Sequence, residues 1–142
     1  MATLARSPKA HPEDVGVQVL GPFVVNFNTA NIGSATGVQF GTLPAGSVVL
    51  RTTAVVTTVF NAATTNVLTV GVAADDDALM TAAVSVAGTL GTKVTNSPAA
   101  TLTTPTAADV GVFAKYTQSG TAATTGRAVV YVEYYPATDY AA

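Results

Sequence analysis

Seven or eight short runs of β-branched and aromatic residues, separated by Gly, Pro and Asn, predict an all-β protein, since neither β-α-β alternation nor a convincing long helix interrupts them. The expected architecture is a two-sheet antiparallel sandwich, a jelly roll first and an immunoglobulin-like sandwich second, with an extended N-terminal arm. A chain of 142 residues makes one domain and buries roughly two-thirds of its unfolded surface. It contains no cysteine, so disulfides, thiolate metal sites and cysteine nucleophiles are excluded.

Residues 1–14 hold Arg6, Lys9, Glu13 and Asp14 with Pro8, His11 and Pro12, and no apolar periodicity. They read as an arm, or as a disordered terminus. Two basic residues without an apolar core do not make a secretory signal, and no stretch supplies the ~20 predominantly apolar residues of a membrane span. The β domain is expected over 15–136, followed by a short tail over 137–142.

Within the domain, Val15, Val17 and Val19 alternate with Gly16, Gln18 and Leu20, and a Gly21-Pro22 break leads into Phe23 to Phe27. A loop rich in Asn, Gly and Ser (Asn28 to Thr36) precedes Val38 to Phe40. Leu43-Pro44-Ala45-Gly46 then predicts a turn, because proline presets φ and glycine accepts φ > 0. The run that follows, SVVLRTTAVVTTVFN, carries one charge, Arg51. Leu50, Ala54, Val56 and Phe60 lie on one face and Val49, Val55 and Val59 on the other. A strand apolar on both faces belongs inside a sandwich or under a neighbouring subunit. Arg51 is a candidate interface contact if it points outward; pointing inward, it needs a carboxylate partner. The segment from Ser47 to Val72 is expected to be a hairpin that turns at Asn61 to Thr65.

Asp75 to Gly88 is ambiguous between a short helix capped by Asp76 or Asp77 and a loop leading to a strand at Val84 and Val86, and the loop is favoured. Residues 88 to 109 are rich in Gly, Thr, Ala and Pro and predict a long loop with at most a short strand near Leu102. Val110 to Thr117 and Arg127 to Tyr135 predict the closing strands, and Pro136 ends the second.

Charged residues make up only 10% of the chain, against about 25% in an average soluble domain. A net charge of −2 leaves no footprint for nucleic acid or an anionic membrane. Threonine supplies the polarity instead. A surface of Thr and Ala, with little charge to keep neighbours apart, suits a protein covered by other subunits.

No catalytic, cofactor-binding or metal-binding residue is assigned. A Ser-His-Asp triad would have to use His11, the one histidine, which lies outside the expected scaffold. Asp75-Asp76-Asp77 lacks the ligand spacing of a calcium loop and reads as a solvated turn. Glu133 with Asp109 or Asp139 could form a glycosidase pair beside Tyr131, Tyr134 and Tyr135, but aromatics around one acid more often mark an interface strand. The same tyrosines with Tyr140 offer the one candidate glycan platform.

FVVNFNTA, LPAGSVVL, VVTTVFNAATTNVLTVGVAAD and VVYVEYYP together resemble the small β-rich virion structural proteins of tailed bacteriophages. The corresponding positions are Leu43 to Gly46, Phe60-Asn61, Val70-Gly71 and Val129 to Tyr135, within a match from about Phe23 to Pro136. The size and the charged arm look most like a jelly-roll capsid cement or decoration protein. That resemblance implies a non-enzymatic protein on the virion capsid surface, made in the host cytoplasm. It would bind the major capsid protein and bridge its subunits, itself a homodimer or other homo-oligomer. Tail or neck subunits, and glycan- or receptor-binding virion modules, share the same texture.

Overall fold

The computed structural model describes residues 16–81, 87–95 and 105–136. The expected arm, the expected tail and the possible strands at Val84 to Val86 and near Leu102 lie outside them. Eight strands form: β1 (Gln18–Asn26), β2 (Val38–Leu43), β3 (Val48–Thr58), β4 (Thr65–Val72), β5 (Asp75–Met80), β6 (Gly91–Thr95), β7 (Val110–Ser119) and β8 (Arg127–Tyr135).

They make two four-stranded antiparallel sheets, ordered β1-β8-β3-β6 and β2-β7-β4-β5. The ladders pair β1 with β8, β2 with β7, β3 with β6 and β4 with β5. Two further ladders, β3 with β8 and β4 with β7, roll these four pairs into the sheets. This is the jelly roll. An immunoglobulin-like sandwich would place the first, second, fifth and fourth strands together, which neither sheet does.

Alternation sets the core. On β8, Ala128, Val130 and Val132 are fully buried between the sheets, while the odd-numbered residues face outward. Leu68 and Val70 of β4 and Val112, Ala114 and Tyr116 of β7 meet them from the other sheet. Burying each such large apolar side chain is worth about 1.5–3 kcal/mol. Phe60 packs on Tyr116 with ring centroids 4.6 Å apart, and the stacked rings of Phe23 and Phe40, 5.3 Å apart, join β1 to β2 at one side of the sandwich.

The long run with Arg51 as its one charge is β3, and a bulge corrects its expected faces. Val49 pairs with Tyr134 and Arg51 with Glu133, so Leu50 is the extra residue. As a result Val49, Thr52, Ala54 and Val56 share the buried face, while Arg51, Thr53 and Val55 oppose Glu133, Tyr131 and Val129 on the outer one. The preceding turn is shifted by one residue from expectation: the Ser47 N–H donates to the Pro44 carbonyl at 3.1 Å, and Gly46, at φ 86°, takes the position that requires positive φ.

The expected hairpin from Ser47 to Val72 does not form. β3 and β4 belong to different sheets, and residues 59–64 carry the chain between the layers. Asn61 secures that crossing by accepting the N–H groups of Thr124 and Thr125 on its Oδ1, at 2.8 and 3.0 Å. Polar turn chemistry looks the same in a hairpin and in a crossing; the ladders available to each strand decide between them. Two other expectations also change. The Asp75 segment is strand β5 where a loop was favoured, and Gly91–Thr95 is strand β6 where a long loop was expected.

Candidate interaction surface

The residues singled out in the sequence do not converge. His11, Asp139 and Tyr140 lie outside the described residues. Asp109 accepts the Ala45 N–H at 2.9 Å and thereby braces the turn before β3. Glu133 is engaged elsewhere, accepting the Arg51 Nε–H at 2.8 Å and Nη2–H at 3.0 Å in a two-pronged cross-strand pair. The hydrogen bonds from Arg51 hold the Glu133 carboxyl below its usual range, and the same contact keeps the guanidinium protonated. A carboxylate pinned in this way has no free proton to donate to a glycosidic oxygen.

The tyrosines also divide. Tyr131 and Tyr135 lie on the outer side of β8, whereas Tyr134 packs against the core. A single platform made of all three is therefore not formed. Arg51 takes the outward of its two expected orientations, and it is paired there with Glu133.

Asp75, Asp76 and Asp77 bring carboxylate oxygens within 4.8 Å of one another, a spacing that a cation could bridge. Asp76, however, already accepts the Lys115 ammonium at 2.6 Å. The hydrogen bond with Asp75, followed by burial and the neighbouring charges, pushes the Asp77 carboxyl up. The cluster lies at the start of a strand and is partly neutralised by its own sheet.

What the sheets do assemble is a face. On the outside of β1-β8-β3-β6, one ladder row runs Val24, Val129, Val55 and Thr92, and the next runs Tyr131, Thr53 and Val94. A third runs Val19, Glu133 and Arg51, so the charges in it cancel. Val19 is 54% exposed, and Val24 and Val94 are 39% exposed. Thr53 is only 4% exposed. Contiguous apolar surface of this kind marks interaction sites on soluble proteins. The two apolar faces of β3 were visible in the sequence; the contributions of β1 and β6 were not, because they depend on the register of strands distant in the chain.

No family model matches the chain, and no curated relative matches it. Among solved structures, it matches a chain of the Cyanophage Pam1 capsid asymmetric unit with a TM-score of 0.66 and 28% identity, over 95% of this chain and 94% of that one.

Proposed function

We propose that this chain is a structural protein of a phage virion that binds the outside of the capsid and bridges major capsid subunits as a cement or decoration protein. The observation that carries this reading is the end-to-end match to a chain of a phage capsid asymmetric unit, which spans nearly all of both chains. The jelly roll, the scarcity of charge and the engagement of Glu133 and Asp109 in structural contacts agree with a role in assembly rather than catalysis.

Packaged DNA loads the shell from within, and a protein that binds only the assembled lattice stabilises that state by mass action. Even about 1,000 Å² of interface per copy is effective when it recurs across the shell. Residues 1–14 serve in this scheme as an arm that adds to a neighbour's sheet edge.

Capsids assembled with and without the chain test the reading. With it, they should survive heating that bursts bare shells, and the chain should be present in a fixed ratio to the major capsid protein. Equal survival of bare and decorated shells would rule out cementing. Deleting 1–14 should lower occupancy on capsids, and unchanged occupancy would remove the arm from the scheme.

A further inference from the structure

We infer that the chain docks end-on: the end of the sandwich from which residues 1–15 and 137–142 depart is its contact with the major capsid protein, and the surface it meets there carries basic side chains around an apolar patch. This rests on the capsid reading and adds to it which part of the chain is buried and what chemistry receives it.

Strand register puts both departures side by side. Gln18, at the start of β1, is level with Tyr134, and Tyr135, at the end of β8, is level with Val48 at the start of β3. The turn over 44–47, tied to Asp109 through the Ala45 N–H, closes the same end of the other sheet. Fifteen residues precede Gly16 and six follow Pro136. Fifteen residues reach up to about 50 Å when extended, so a surface resting on this end lies within reach of the chain that leaves it.

The folded residues at this end are apolar and acidic. Of the six exposed large apolar side chains among the described residues, Val17, Val19 and Tyr135 gather here, whereas Val24 and Val94 lie along the sheet and Leu90 lies at the far end, beside the start of β6. All five carboxylates among the described residues also lie toward it. Glu133 is level with Val19, Asp109 precedes β7, and Asp75 to Asp77 follow the end of β4, where Gly71 is level with Phe113 near the start of β7. Only two bases meet them, Arg51 on Glu133 and Lys115 on Asp76, which leaves this end net negative. Lys93 sits midway, level with Ala54, and Arg127 sits at the opposite end, level with Asn26 and Thr58.

That opposite end closes on itself. Asn61 bonds to Thr124 and Thr125, and the N–H groups of Ala63 and Thr64 donate to the carbonyls of Thr121 and Ser119. An apolar patch set among unneutralised carboxylates favours a basic partner surface, which gains burial and opposite charge together, and disfavours an acidic one.

The test measures occupancy of purified full-length chain on capsid shells across a titration, with circular dichroism to verify folding and light scattering to give the mass of the free chain. Val19→Lys, which sits beside Glu133 in the fold but sets a cation against the proposed partner, should raise the concentration for half occupancy by about tenfold. Val17→Lys, outside the strand, should act in the same direction and serves if Val19→Lys does not fold. Thr121→Glu, exposed at the far end, should bind as wild type does, and added salt should weaken wild-type binding. Folded Val19→Lys or Val17→Lys with wild-type occupancy, a loss confined to Thr121→Glu, or binding indifferent to salt would overturn the end-on contact while leaving the cement function standing. A lysine variant that only lowers the mass of the free chain would assign this end to a second copy and overturn it too. Wild type that does not bind shells at all would remove the capsid reading and this inference with it.

Discussion

On the outside of β1-β8-β3-β6, the ladder positions across the middle hold Val24, Val129 and Val55; on the outside of β2-β7-β4-β5, the central strands hold Lys115, Thr69 and Gly71. The second face supplies its own cover. The β5 backbone at Asp75 and Asp76 sits directly over Gly71, so closely that a Cβ there would overlap the Asp75 carbonyl. Lys115 reaches Asp76 at 2.6 Å and the Ala35 carbonyl at 3.3 Å, and Thr69 beneath is only 6% exposed. Polar side chains elsewhere on this face bond to one another, such as Ser119 to Thr65 at 2.6 Å. The second sheet therefore covers much of its surface with its own connections, while the first presents Val19, Val24 and Val94 to solvent beside the Arg51–Glu133 pair. Two sheets of one sandwich can differ in this way because cover depends on what the connections bring over them.

Four substitutions and a titration sharpen that contrast. Gly71→Val should have the largest effect: the side chain must displace the Asp75–Asp76 backbone, at a cost of about 3 kcal/mol or more in chemical denaturation. If it were tolerated, the close cover over β4 would be wrong. Lys115→Met should cost about 1 kcal/mol, because it frees Asp76 and releases the tie to Ala35. Arg51→Met, the matched change on the other face, should cost less, since the Arg51 side chain is 49% exposed and that of Lys115 only 21%. Equal losses, measured side by side by thermal unfolding, would erase the difference between the faces.

The smallest effects appear with pH and have opposite signs on the two faces. The Glu133 carboxyl is depressed in the folded chain, so the stability it contributes is present above the ordinary carboxylate pKa, about 4.3, and is lost as pH falls through its lower folded value. Asp77 is raised, so its contribution is present in acid and is lost as pH rises through its folded value. Arg51→Met should flatten the acid limb of a stability–pH profile, whereas Asp77→Asn should remove the loss on the rising side. Identical profiles for the two variants would contradict both assignments.

Much of the fold was legible because strand alternation is a local property. Arg127 to Tyr135 reads as a half-buried strand in sequence and is one, and the Pro-Ala-Gly turn was misplaced by only one residue. β5 was hidden because three aspartates disfavour a strand. One of them, Asp76, is paired there with Lys115 from β7, a residue far away in sequence. β6 was hidden because Gly91 to Thr95 has little pattern of its own and is held by its ladder to β3. The candidate surface was half visible: β3 announced two apolar faces, but its bulge at Leu50 decides which residues occupy each.

By itself, then, the sequence determined the class of the protein. Without cysteine and with few charges, long β-branched runs cut by Gly and Pro can bury themselves only as packed sheets. Tertiary structure decided the pairing of strands, and with it the separation of β3 from β4, the meeting of Arg51 with Glu133 and the difference between the two outer faces. Side-chain period is local, but register and cover arise between segments distant in the chain, and no local pattern encodes which of them will meet.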